Sequence, residues 1–365
     1  MREVVFVDFA RTPFVKQGGA LRGFTALQLG AACLKGLIEK SKILEKGGED
    51  AIGSVFAGSS LRCKETVAPV RFLTQMVGLP IDTEGHQVEM QDGSAITAIN
   101  HAAYQVALGY VDVAVAGGME SYSTQPVFMS SVVEPFQGLA PQWLPMHLSP
   151  DAAQDMSLAQ LAAMNHGYDA AQLEAYAAQQ RSKAESSDNG EQIVAVTIPG
   201  TKKTPPVDIT EDTAGEGVTA IPCDGAAFIL MMTAEKAQEL GYAPYARWIA
   251  GTDAGVEPAN MHLGPIYSNE KALKMAGLTA EAVDLWECGT LSAAQSLAVM
   301  EKSGISQDKW ADDCLAVGHA GGATGGRLTM DAMQQLCKTG GQYAVVSCCC
   351  GGGHGTSLVM ENLRR

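Results

Sequence analysis

Apolar residues recur along this chain in two alternating rhythms, short strand-like runs and longer helical stretches. Val4–Phe9 reads as a strand, spacings of three and four predict an amphipathic helix over Ala26–Ser41, and Gly53–Ala57 follows as a second strand. Ser94–Leu108 is Ala-rich and apolar on most sides, the pattern of a helix buried all round. It leads into a continuous apolar strand, Val111–Ala116, which Gly117-Gly118 punctuates. From Glu120 to about Gly217 the texture changes to scattered Pro, Met and Gln, with helices predicted near Ser157–Ala163 and Ala170–Ser186; this stretch reads as an insertion. Ala226–Met232 resumes a strand, and Pro244–Gly251 starts a second series. Strands alternating with helices in this way predict an α/β protein.

The two series are alike. Val111–Gly118 has a counterpart in Tyr343–Cys349 and its following glycines, and Asp224–Met231 echoes His354–Met360. A turn into a helix precedes each central strand, Asp92-Gly93-Ser94 in one half and His319-Ala320-Gly321-Gly322 in the other. Internal duplication with one long insertion accounts for this. The expected organisation is an N-terminal half over 1–118 plus 217–240, an inserted loop region over 119–216, and a C-terminal half over 241–365. Two buried helices, one per half, would carry Asp92 and His319 to a shared interface, where ligands tend to bind.

Composition narrows the function. With 365 residues and 46% hydrophobic content the chain can bury a large core, which excludes a disordered polypeptide. A formal charge of −15 excludes a nucleic-acid partner and argues against an anionic membrane surface. No long uncharged apolar run is present and acids stand at Glu3 and Asp8, so neither a membrane span nor a signal peptide is expected and the cytoplasm is the default. Nine cysteines, three of them adjacent at Cys348, Cys349 and Cys350, do not form a disulfide framework. Arg71, Arg181, Lys183 and Lys202-Lys203 could meet a phosphate-bearing small molecule or simply be solvated.

Two segments could carry chemistry. In Ser347–Gly355 a strand ends in thiols and opens into glycines; its backbone N–H groups could hold an oxyanion, or the small residues could merely serve a tight turn. The spacing of its Cys and His does not suit zinc, and no metal is expected. In Gly318–Arg327 a histidine sits among glycines at a helix entry, a fit position for a donor to a carbonyl oxygen. Phosphate-loop and dinucleotide spacings are absent there.

Together these segments resemble the thiolase family over nearly the whole chain. Arg11-Thr12-Pro13-Phe14, Gly78-Leu79-Pro80 and Gly117–Ser121 are similar to family landmarks in the same order. Gly318-His319 with Gly322–Gly325 resembles the motif of the catalytic His, and Cys349-Cys350-Gly351 the Cys-x-Gly motif of the acid/base Cys. The resemblance implies a five-layered αβαβα fold, a homodimer or higher assembly, and carbon–carbon bond making or breaking between thioesters of coenzyme A. No cofactor is expected; coenzyme A enters as substrate or ligand. The resemblance further places Gly351 and Gly289 at the oxyanion, and leaves Met119, Arg181 and Lys183 as candidate substrate contacts.

The pattern breaks where it matters most. Val88–Ala98 aligns with the nucleophile motif without a gap, and Asp92 stands where the acylated Cys is expected. Gly289 replaces an Asn, Asp312-Asp313 replace a Gly pair, and the stretch before Cys223 is shortened. A carboxylate is a poor nucleophile toward a thioester, would form a high-energy anhydride, and sets negative charge beside the developing oxyanion. Asp before Gly-Ser also suits a helix N-cap. His319 and Cys349 remain, able to polarise a carbonyl and move an α-proton provided Cys349 is a low-pKa thiolate. Three readings follow: a nucleophile-less subunit beside an active paralogue, an enzyme using His319 and Cys349 for noncovalent Claisen or retro-Claisen chemistry on a 3-ketoacyl-CoA, or an acyl-CoA-binding module completed by an OB-fold partner.

Overall fold

A computed structural model describes residues 1–126, 129–130, 142–143, 164, 166–185, 190–202, 204–311 and 314–365. The helix expected at Ser157–Ala163, Lys203 and the Asp312-Asp313 pair lie outside the described residues. In the N-terminal half the main strands are β1 (Val4–Arg11), β2 (Ser54–Gly58), β3 (Glu84–Val88), β4 (Val113–Glu120) and β5 (Cys223–Thr233). The C-terminal half supplies β6 (Ala246–Gly255), β7 (Leu285–Gly289), β8 (Trp310–Ala311), β9 (Tyr343–Cys350) and β10 (His354–Asn362). Their spatial order is β8-β7-β9-β10-β6-β1-β5-β4-β2-β3, with the short Val15–Lys16 strand against β5. Read outward from the centre, the two halves have the same order, each strand of one matched by the strand five places later. The strands of the two halves join where β1 pairs with β6, over Val4, Val5 and Phe6 against Trp248, Arg247 and Ala246.

The main helices are α1 (Ala26–Ser41), α2 (Pro69–Met76), α3 (Ser94–Leu108), α4 (Gly264–Ala276), α5 (Ala293–Ser303) and α6 (Thr324–Thr339). Helix α1 packs on β5, β1 and β4, and α4 packs on β10, β6 and β9, forming the two outer layers. Helices α3 and α6 touch each other and strands of both halves, so they are the middle layer of a five-layered αβαβα sandwich. Local chemistry sets the helix ends. Thr25 and Gln28 form a reciprocal capping box at the start of α1. Gly109 and Gly340 close the two central helices with left-handed φ of 87° and 73°. Helix α3 buries Ile96, Ala98, Ile99, Ala102, Ala103 and Val106 on several sides, which explains its lack of a polar face.

One strand end differs from expectation. Gly117 and Gly118 do not stop β4, which runs on to Glu120. A Cβ at Gly117 would strike the Ala227 carbonyl of β5, and one at Gly118 the Gly322 carbonyl beside α6. These glycines permit close packing inside the sheet rather than ending it.

Candidate active site

The site forms where the entries to α3 and α6 meet the turn between β9 and β10. Asp92 sits on a tight turn just before α3. Gln91 adopts a left-handed φ of 48°, and the Ser94 hydroxyl accepts from Met90 N at 2.8 Å while donating to Gln91 O at 2.6 Å. That hydroxyl is fully buried and committed to the turn, so it is no substitute nucleophile. Gly93 is required by the neighbour opposite: a Cβ there would run into the Cys350 thiol and come within 2.5 Å of Thr356 Cγ2. The turn is thereby seated against the thiol-bearing hairpin of the other half.

Asp92 does not cap its helix. The N-cap is Gly93, with no side-chain cap, and Asp92 Oδ1 instead lies 2.8 Å from His319 Nε2. With Asp92 ionised, the carboxylate accepts and Nε2–H donates. His319 Nδ1 is buried and has no hydrogen-bond partner among the described residues. The His319 backbone is fixed on both sides, its N–H donating to Ile221 O and its carbonyl accepting from Cys223 N, each at 2.8 Å. Gly318 takes φ 96° in front of it, since a Cβ there would meet the Cys223 thiol. The expectation that His319 is ready to polarise a carbonyl is thus modified, because its Nε2 is already engaged by Asp92.

Cys349 lies at the end of β9, 3% exposed, walled by Met261 and Leu291 with Met164 packed against them. Burial first, and the Asp92 charge second, push its thiol from 9.0 up to about 12; the Gln295 amide beside it opposes this. Burial likewise drives Cys348 and Cys350 well above 9.0. The low-pKa thiolate considered above is therefore replaced by a protonated thiol, because a buried sulfur next to a carboxylate resists ionisation.

The remaining candidates are placed differently. Gly289 ends β7, and a Cβ at this position would collide with the Cys348 thiol and sit 3.0 Å from Leu328 Cδ1, so the volume of a larger residue is taken. Gly351 opens the β9–β10 turn, which continues through Gly352 and Gly353 at left-handed φ of 87° and 95°. Met119 belongs to the outer packing and not to the site: it is 1% exposed, with Sδ against Gly30 of α1. Strand alternation is the reason, because Gly118 and Glu120 face Gly322 at the centre and Met119 must face away. Arg181 and Lys183 stand on the Ala170–Glu185 helix and bond backbone carbonyls, Arg181 to Gly217 O at 2.6 Å and Lys183 to Trp310 O at 3.3 Å. Arg71 similarly ties Thr83 O and Ile81 O, and Lys202 is exposed.

Two residues near the site escaped the sequence reading. Gln295, on the first turn of α5, accepts from Leu291 N and donates to His262 O, both at 2.8 Å, next to Cys349. Its signal was the Ser292-x-x-Gln295 spacing of a capping box, of which only the Ser292 half forms. Tyr122 is the other; burial raises its hydroxyl pKa well above 10.0, and the Asp92 and Glu120 charges add to this. No local pattern marked it.

Five layers built from two like halves, with Asp92 of one half paired to the buried His319 of the other and its charge felt at the buried Cys349, define a thiolase-type acyltransferase. The comparisons agree: the thiolase N-terminal domain matches residues 4–228 and the thiolase C-terminal domain residues 242–362, and the chain belongs to the thiolase family. The acetyl-CoA acetyltransferase of Thiocystis violacea is 30% identical, covering 99% of each chain. The mitochondrial acetyl-CoA acetyltransferase of Mus musculus is also 30% identical, over 100% of this chain and 92% of its own. Among solved structures, the Bacillus anthracis acetyl-CoA acetyltransferase superposes with a TM-score of 0.86 at 24% identity, covering 99% of both chains. Human mitochondrial 3-ketoacyl-CoA thiolase gives 0.87 at the same identity and coverage. No described helix is long and apolar enough to cross a membrane, and no cluster of metal-binding side chains occurs among the described residues.

Proposed function

We propose that this chain performs carbon–carbon bond chemistry on a 3-ketoacyl-CoA by acid–base catalysis, without an acyl-enzyme. One observation carries the reading: the residue at the nucleophile position is a carboxylate paired at 2.8 Å with His319, beside a thiol kept protonated at Cys349. In the cleavage direction the Asp92–His319 pair accepts the proton of an incoming water or CoA thiol as that nucleophile adds to the 3-keto carbon. The Cα–Cβ bond then breaks, and the electron pair left on Cα takes the Cys349 proton. Transfer of the stored proton from the pair to Cys349 resets the site, so protons and electrons balance. Water as nucleophile yields a carboxylic acid and acetyl-CoA; CoA yields two acyl-CoAs. Condensation follows the same steps reversed. Acyl-CoA as ligand follows from the family; the compartment expected is the cytoplasm, and no nucleic acid or membrane partner enters.

The test is turnover of acetoacetyl-CoA by the purified chain, with products identified by mass spectrometry. General acid–base groups contribute about 100-fold or more, so His319→Ala and Cys349→Ser should each lose activity on that scale. Full activity in both variants overturns the reading. A second reading is favoured by the same 2.8 Å bond, which occupies the His319 nitrogen a substrate oxygen would use. In it the chain is a nucleophile-less subunit, working as a heteromer with a thiolase paralogue or as an acyl-CoA-binding module completed by an OB-fold partner. Inactivity alone, with activity restored in a stoichiometric complex, selects this second reading.

A further inference from the structure

We infer that Glu120 is a positioning residue for His319, holding the imidazole at Asp92 by clamping the turn that follows it; the effect on turnover rests on the function proposed above. Glu120 is the last residue of β4, 1% exposed, and its carboxylate faces no basic side chain among the groups that shift it. Its charge is met by dipoles instead. Oε2 accepts from Ser60 N at 2.7 Å, from the Ser60 hydroxyl at 2.5 Å, from Gly322 N at 3.0 Å and from Leu61 N at 3.4 Å. Oε1 accepts from the Ser59 hydroxyl at 3.3 Å.

These donors come from two places more than 260 residues apart in sequence, the loop after β2 and the turn between His319 and α6. The Glu120 carboxylate accepts from both, and the contact is close. A Cβ at Gly321 would come within 2.5 Å of Ser60 Oγ and 2.7 Å of Glu120 Oε2, and one at Gly322 within 2.6 Å of Ser59 Cα. Gly321 holds a left-handed φ of 41° to bring its neighbour's N–H onto the carboxylate. His319 is thereby pinned at both flanks: Ile221 and Cys223 grip its own backbone, and Glu120 grips the residue three places on. Burying a carboxylate without a cation is unfavourable, and burial does raise the Glu120 pKa against those donors. An apolar residue would serve packing alone, whereas a side-chain carbonyl oxygen at Oε2 can accept several backbone N–H groups at one point and so register one half of the molecule on the other.

The test uses the full chain, following the His319 ring nitrogens by nitrogen-15 NMR, with His319→Ala to assign them, alongside steady-state kinetics. Glu120→Ala should shift or broaden the His319 ring signals and lower kcat about 10- to 100-fold, with KM within about twofold. Glu120→Gln can place its amide oxygen at Oε2 and turn its NH2 to Ser59, so it should restore the wild-type ring signals and most of kcat. Glu120→Asp, one methylene shorter, keeps the charge but withdraws from Gly322 and should behave like the Ala variant; it carries the test if Ala fails to fold. A folded Ala or Asp variant with unmoved ring signals and unchanged kcat overturns the inference. Should the wild-type chain turn over no 3-ketoacyl-CoA, the function proposed above fails, while the ring signals still decide the role of Glu120.

Discussion

Replacing Asp92 with Asn keeps the shape of the side chain and removes its charge, and the effect can be followed at Cys349. The Cys349 thiol rises from 9.0 to about 12, burial being the larger cause and Asp92 the second. Three pK units favour the thiol by ~4 kcal/mol, leaving roughly 3 thiolates in 100,000 near pH 7.5, against roughly 3 in 100 for an ordinary thiol. Neutralising a neighbouring like charge returns on the order of one unit, while burial is untouched. Alkylation of Cys349 at a fixed pH should therefore speed up about tenfold in Asp92→Asn yet stay far slower than at an ordinary thiol. The assay is iodoacetamide labelling across a pH series with peptide mapping, using the half-buried thiols of Cys63 and Cys337 as internal references. Equal rates in the two proteins, or a wild-type Cys349 that reacts as fast as Cys63 at neutral pH, would refute the electrostatic coupling.

Other substitutions probe separate parts of the structure. Gly289→Asn, which reinstates the family's usual residue, should destabilise by about 1–3 kcal/mol in thermal melts because the Cys348 thiol occupies the space, and Cys348→Ala should recover part of that loss. Asp212→Asn should lower stability by about 3–5 kcal/mol, since it strands the fully buried Arg11 side chain that Asp212 pairs at 2.7 Å. Burial raises the Asp212 carboxyl pKa, but the Arg11 charge and hydrogen bonds outweigh it and hold it below 3.8. Its stabilisation is therefore present above pH 3.8 and lost as pH falls through the lowered folded value, a dependence that acid denaturation of the Asn variant should lack. Glu120 has the opposite sign: its folded pKa lies above 4.5, so the wild type binds its proton more tightly folded than unfolded and loses stability as pH rises from there. Glu120→Gln should match the wild type in acid and gain on it toward neutrality; a gap that narrows with rising pH contradicts this.

Much of the architecture was legible because its signals are local. The apolar spacing over Ala26–Ser41 marked α1, and apolar residues on most sides marked α3 as buried. The duplication located the seam to which the two helix entries converge. The details of the site were not legible, because they depend on residues far apart in the chain. Asp92 looked like a helix cap until its partner, 227 residues away, was in place. Met119 sits beside two glycines in a strand buried on both faces, where composition does not reveal which side chain points inward. Gly289 read as a lost functional group, and only the packing shows that Cys348 has taken its room. The state of Cys349 likewise depends on burial and a charge brought in from the other half, which a Cys-x-Gly motif does not encode.

The central claim is that Asp92 acts as a base paired to His319 and never carries an acyl group. Intact-mass spectrometry of the wild-type chain during incubation with acetoacetyl-CoA and acetyl-CoA tests it most directly. The account predicts an unmodified protein mass while acetoacetyl-CoA is consumed, and a protein that gains an acetyl group only when Asp92 is replaced by Cys. An acetylated wild-type chain, with the modification mapped to Asp92, would contradict it.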